Sequence, residues 1–202
     1  MSDLALPALY PSMILSTLLA AAADCPAILP EPYASDARSS GRTFFVAKAD
    51  RAIGVYEADQ LLPGTCFSAQ LGPAGDEGPK VKQGDLKTPE GWYRLTHRNP
   101  NSSYYRSLGV NYPNADDVTR SLAAGVISDT TASSVRAAIA KGQRPSQGTA
   151  MGGDIFIHGN PWGSPFDWTL GCVAVMNDEM DVLYRLGDPG TSVIIVPALG
   201  DR

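Results

Sequence analysis

The chain has 202 residues, enough for one domain with a short extension and a sizeable buried core. Its 16 Lys and Arg against 21 Asp and Glu leave a formal charge of −5, and without a basic run there is no electrostatic footprint for nucleic acid. Two histidines and three cysteines, at no recognisable ligand spacing, give no reason to expect a metal or a cofactor.

Residues 1–24 differ from the rest. Residues 4–23 are mostly apolar and end in Ala21-Ala22-Ala23, which reads as a cleavable export signal. Asp3 lies before the apolar run and Pro7 and Pro11 lie within it, which weakens that reading. A retained membrane anchor is the alternative, since the run approaches the about 20 residues that span a bilayer. A lipid anchor on Cys25 fits less well, because Ala22-Ala23-Asp24 precedes it. Membrane attachment is expected only through this segment. Residues 25–42, rich in Pro, Ala and Ser, read as a linker. Cys25 and Cys66 either pair in an oxidising compartment and leave Cys172 free, or stay as two thiols.

Residues 43–49 and 52–58 are strand-like runs separated by Asp50-Arg51, which predicts a hairpin. Residues 61–71 continue as a third, bent strand. Residues 72–91 form a long loop dense in Gly, Pro and charge, and such loops are often functional. At its end Thr88-Pro89-Glu90-Gly91 fits a type I turn leading into a strand over 92–97. His97 is either a rim residue or a plain surface histidine. Residues 99–114, rich in Asn, Ser and Tyr, read as a loop that faces a carbohydrate or peptide, packs its tyrosine rings, or does both.

Helices are predicted over 116–124 and 128–141, the second ended by Gly142 and expected to cover a sheet face. Residues 144–153 are a Pro/Gly loop. Trp162, Phe166 and Trp168 sit in a loop over 160–168, either as a wall over a groove or as core anchors. A helix over 178–186 takes Asn177 as its N-cap, and a closing strand covers 193–196. The pattern is mainly β with a few helices.

His158 ends one apolar run, Ile155-Phe156-Ile157-His158-Gly159, and Cys172 opens another, Gly171-Cys172-Val173-Ala174-Val175. Side chains at strand ends can be held by the core and still meet a substrate. A thiol with a pKa of about 8.5 is mostly protonated near neutrality and needs a base to become a nucleophile. His158 can be that base, and the amides of Gly171 and Cys172 can face a developing oxyanion. The bland alternative is a buried thiol beside a satisfied core histidine.

His158-Gly159 followed by Thr169-x-Gly171-Cys172 is similar to the signature of the L,D-transpeptidase catalytic domain family (YkuD-type). The block Gly84-Asp85-Leu86-Lys87-Thr88-Pro89-Glu90-Gly91-Trp92-Tyr93 resembles a second family segment, and this resemblance implies that the turn at 88–91 sits beside the catalytic groove. Asn99-Pro100-Asn101-Ser102-Ser103-Tyr104, residues 108–114 and Trp168-Thr169-Leu170-Gly171-Cys172-Val173-Ala174-Val175 resemble its YafK-like branch. The resemblance covers roughly residues 43–197. Many members carry Arg two residues after the cysteine, where this chain has Ala174, so a carboxylate contact from that position does not carry over.

The resemblance implies a β-sandwich-like catalytic domain over 43–202, exported to the periplasm or cell envelope. It implies that the Cys172 thiolate attacks a peptidoglycan stem peptide at an L-centre next to a D-amino acid and forms a thioester. His158 serves as base and acid, and the Gly159 carbonyl orients it. Gly171 supplies an oxyanion amide, and Tyr104, Trp168 and Thr169 are candidate substrate contacts. An amine acceptor gives transpeptidation. Water gives hydrolysis, which trims stem peptides or releases a wall-attached lipoprotein. A wall-binding module without turnover is the alternative of another class, and a general thiol protease a third.

Overall fold

The computed structural model describes residues 23–200, so the expected export segment lies, but for its last two residues, outside the described residues. No helix among the described residues is long and apolar enough to cross a membrane.

The central strands follow from the longest apolar runs. Strand β1 (Arg42–Ala47) turns back into β2 (Ala52–Glu57), with Phe44 opposite Val55, as the two-run pattern predicts. The closing strand, β8 (Ser192–Val196), lies parallel to β1. Both are buried almost throughout, which is why they read as unbroken Phe, Val and Ile rather than as alternation. Strand β3 (Gln60–Ser68) flanks β2. Strand β4 (Gly91–Ser102) pairs with β8 through its first residues and with β5 (Tyr105–Val110) through the rest. Its register shifts between Leu95 and Arg98, and such a bulge bends a strand. Strands β6 (Phe156–Gly159) and β7 (Val173–Val175) complete the order β3-β2-β1-β8-β4-β5-β6-β7.

The bend at β4 sets the two halves of the sheet around one core. Phe44, Val55 and Ile195 from one half meet Leu108, Ile157 and Val173 from the other. Gln70 and Ala174 exchange two backbone hydrogen bonds of 2.8 Å, which ties the chain just past β3 to the outer strand β7. The expected β-sandwich-like architecture is the one observed.

The stretch read as a linker is instead part of the fold. Helix α1 (Tyr33–Ser40) lays Ala34 and Ala37 on the outer face of the sheet, with Leu29, against Phe45, Tyr56 and Ile194. Arg38 ties it to Asp59, and Asp36 accepts from the Trp92 indole at 2.9 Å. The open question of the two cysteines resolves as a Cys25–Cys66 disulfide, with Cα atoms 5.8 Å apart.

Four further differences have local causes. Residues 99–114 are no loop: β4 and β5 form a hairpin through 110, turning at Ser103-Tyr104 with Tyr105 at φ 72°. The predicted turn at 88–91 is absent, and that segment runs without a turn into Gly91 at φ 139°. Helix α2 (Ala115–Ala123) and helix α3 (Asp129–Ala140) appear where expected. However, α3 packs on α2 around Val118, Ala132, Val135 and Met151 rather than on the sheet. Helix α4 (Asn177–Leu186) starts one residue early: Met176 is its N-cap, with its amide on Glu179 at 2.9 Å.

Candidate active site

The register of two short parallel strands brings the candidate pair together. Ile157 pairs with Val173 and His158 with Ala174. Cys172, one residue before β7, therefore sits diagonally from His158 on the same face, with Cα atoms about 8 Å apart at ordinary strand spacings. Both side chains line one open cavity of about 690 Å³.

His158 is 2% exposed. Its Nδ1 lies 2.9 Å from the Gly159 carbonyl oxygen. A carbonyl only accepts, so Nδ1 carries the proton and Nε2 keeps its lone pair. Burial holds the imidazole below its usual pKa of 6.5, against the opposing pull of the Gly159 hydrogen bond. The ring is packed by aromatics. Tyr104 stacks on it at 4.7 Å, Trp168 lies at 5.4 Å, and Trp162 stands edge-on to Trp168 at 4.8 Å.

Gly159 makes that packing possible. A Cβ there would stand 2.6 Å from Asn177 Oδ1, 2.9 Å from Tyr105 Cβ and 3.0 Å from the Tyr104 carbonyl oxygen. The hairpin tip and the start of α4 press on this residue, and only a missing side chain lets Tyr104 lie over His158.

The Cys172 Sγ accepts from the Phe156 amide at 3.4 Å and lies 3.6 Å from the Asp154 carbonyl oxygen, to which its S–H points. Among the described residues these backbone groups, and not the imidazole, are its hydrogen-bond partners. Burial pushes the thiol up to about 11, opposed by the Phe156 amide and the charge of Lys80. The resting pair is thus a neutral thiol and a neutral imidazole. A proton must move before the sulfur becomes a strong nucleophile.

Thr169 and Gly171 shape the approach to Cys172. The buried Thr169 hydroxyl donates to the Cys172 carbonyl at 2.8 Å and accepts the Gly171 amide at 3.2 Å. The Gly171 amide, expected from sequence to face an oxyanion, is engaged within the loop by this hydroxyl. Gly171 matters for its backbone: at φ 129° it passes the Lys87 carbonyl oxygen, 2.7 Å from where a Cβ would stand.

The loop over 160–168 is anchored at both ends. Asn160 donates to the Ser164 carbonyl at 2.8 Å, and Asp167 accepts from Arg51 Nε at 2.9 Å and from the Leu71 amide at 2.8 Å. Trp162 and Trp168 line the cavity, so the wall reading holds for them, whereas Phe166 is 76% exposed and lies outside the lining. Tyr104, Trp168 and Thr169 all line the cavity. His97 does not: it meets Phe156 edge-on at 5.8 Å and its Nδ1 lies 2.8 Å from Thr96 Oγ1.

Sequence reasoning missed Lys80. This buried residue lines the cavity and its Nζ donates to Asp85 Oδ1 at 2.8 Å. Asp85 belongs to the recognised Gly84–Tyr93 block and was the available signal. Burial alone would raise its pKa, but Lys80 and the amides of Val81, Lys82 and Lys87 outweigh that and hold it low. Among the described residues no group of three or more His, Cys, Asp and Glu could hold a metal ion.

Comparison with known proteins agrees with this geometry. The L,D-transpeptidase catalytic domain (YkuD) model matches residues 40–195. A 46-residue stretch, 22% of the chain, is 44% identical to the "Putative L,D-transpeptidase YafK" of Escherichia coli K12 and spans 19% of that protein. A variant of the helical cell shape determining protein Pgp2 from Campylobacter jejuni is 26% identical with a TM-score of 0.51, over 76% of this chain and 46% of that one. Bd1075 from Bdellovibrio bacteriovorus shares the fold with a TM-score of 0.52 at 23% identity, over 85% and 52%. The chain thus spans about half the length of these two solved relatives. Since one family accounts for the chain from β1 into β8, the chain belongs to the L,D-transpeptidase catalytic domain (YkuD) family.

Proposed function

We propose that the chain is a cysteine acyltransferase of the cell envelope that acts on peptidoglycan stem peptides through a thioester on Cys172. The observation that carries this reading is the tautomer of His158. With Nδ1–H on the Gly159 carbonyl at 2.9 Å, the basic Nε2 is left for the cavity that Cys172 also lines.

In this mechanism the Cys172 S–H leaves the Asp154 carbonyl and gives its proton to His158 Nε2 as sulfur attacks the carbonyl of the L-centre. The imidazolium is held by the Gly159 carbonyl, which takes the place a carboxylate fills in other triads. The Cys172 amide is the remaining backbone donor for the oxyanion, since Thr169 occupies that of Gly171. Collapse breaks the amide bond, and the leaving amine takes the proton from His158. The thioester then passes its acyl group to an amine, or to water that His158 deprotonates.

Export is supported by the Cys25–Cys66 disulfide, a bond that persists in oxidising compartments. The likeness to a helical cell shape determining protein supports wall remodelling as the setting. Hydrolysis, including release of a wall-attached lipoprotein, is the second outcome of the same thioester. Incubation with defined muropeptides, followed by mass spectrometry, tests the reading. Cross-linked masses mark transfer, and shortened peptides mark hydrolysis. No product would leave the wall-binding module as the better account, and unchanged products with Cys172→Ala would rule out the thioester on that residue.

A further inference from the structure

The cavity wall contains one ammonium group among its described lining residues. Lys80, in the loop between β3 and β4, is 2% exposed, and it lines the cavity shared by Cys172 and His158. Its Nζ donates to the Lys82 carbonyl at 3.0 Å and to Asp85 Oδ1 at 2.8 Å. An ammonium has three N–H donors, so one is left over.

Asp85 neutralises this charge only in part. Its Oδ2 also takes the amides of Val81 at 2.8 Å and Lys82 at 3.0 Å, and its Oδ1 takes that of Lys87 at 3.2 Å. The carboxylate is divided among four donors, so the ammonium is not its only partner. The Lys80 charge reaches Cys172, where it favours the anion. Asp85 itself does not line the cavity, and the carboxylate that does, Asp154, is occupied by Arg144 at 2.7 Å. Ala174, two residues past the cysteine, is buried and offers no charge.

We propose that Lys80 is a specificity-determining residue that receives a carboxylate of the peptide substrate next to the scissile amide. The inference rests on the functional reading above and deepens it. A buried cation with an unfilled donor gains most from a group that brings both an acceptor and a negative charge. Two carboxylates fit that chemistry: the terminal one of the leaving D-residue, and the free one at the far centre of the diamino acid.

The test compares peptides ending in a diamino acid and one D-residue, with each carboxylate free or amidated in turn, on the purified full chain. Amidating the carboxylate that Lys80 receives lowers kcat/KM by about 30-fold or more, mainly through KM, as expected for removing one partner of a buried charge pair. The position of the sensitive amide tells which source is used. In Lys80→Gln the same amidation changes kcat/KM less than about 3-fold, because the charge it answered to is gone. Equal turnover of all peptides by the wild type overturns the inference while leaving the thioester reading in place. So does Lys80→Gln that folds and still discriminates. Should Lys80→Gln fail to fold, the wild-type comparison alone decides. Absence of any turnover by the wild type overturns the functional reading and the inference with it.

Discussion

The ring of Tyr104 stacks on the imidazole of His158 at a centroid distance of 4.7 Å and 26° from parallel. This contact helps keep water from the imidazole, and burial holds the His158 pKa below 6.5. In the proposed mechanism His158 therefore acts as base above that depressed value. Removing the stacked ring with Tyr104→Ala rehydrates the imidazole and moves its pKa up. The acid limb of kcat/KM shifts to higher pH, and the NMR titration of the His158 ring shifts with it. An unmoved limb would mean that Tyr104 does not shield the base.

Thr169 holds the loop that presents the thiol. Its hydroxyl links the Gly171 amide and the Cys172 carbonyl. Thr169→Ala leaves both groups without this partner and is expected to destabilise the fold by about 1–3 kcal/mol. In the proposed mechanism, misplacing the Cys172 thiol lowers kcat by about 10-fold or more. Thr169→Ser keeps the hydroxyl and restores both values. Steady-state kinetics with denaturant titration checks this, and an unchanged kcat in the alanine variant rules it out.

The Lys80–Asp85 pair makes stability depend on acid. Both side chains are nearly buried, at 3% and 8% exposure. The Asp85 pKa is held below its ordinary value, so its contribution is present above that value and is lost as pH falls through the folded-state pKa. Asp85→Asn leaves Lys80 buried without its charge partner and is expected to cost about 3 kcal/mol near neutrality. The gap to wild type narrows below about pH 4. Urea titrations across pH 3–7 follow both effects, and a gap independent of pH would contradict them.

The N-terminal strap is fastened by covalent and packing links. The Cys25–Cys66 bond closes a sequence separation of 41 residues. In the chain-entropy model, losing it lowers stability by about 4 kcal/mol. The double variant Cys25→Ser/Cys66→Ser should unfold at lower urea and keep the wild-type rate of Cys172 alkylation. An unchanged midpoint would show that α1 stays in place through packing alone.

Much of the sheet was legible because β1, β2 and β8 are long apolar runs with two-sided burial. Helices α2 and α3 were legible in place, although their N-caps, Asn114 and Ser128, emerge only in the structure. The β4–β5 hairpin was hidden because its exposed, cavity-facing tip is built from Asn, Ser and Tyr, which also build loops. Helix α1 was hidden because it buries only Ala34 and Ala37 among polar neighbours, and its place depends on tertiary contacts. That His158 and Cys172 meet at one cavity was legible from motif and spacing. The engaged amide of Gly171 and the reach of Lys80 were not, because both arise from side chains folding back on backbone groups that no periodicity encodes.

The central claim is a covalent bond between substrate and Cys172. Whole-protein mass spectrometry of samples quenched during reaction with a stem peptide tests it most directly. The account predicts an added mass equal to the acyl fragment, located on Cys172, released by hydroxylamine, and sharply reduced in His158→Ala. Turnover that continues in Cys172→Ala, or an adduct carried by any other residue, would contradict it.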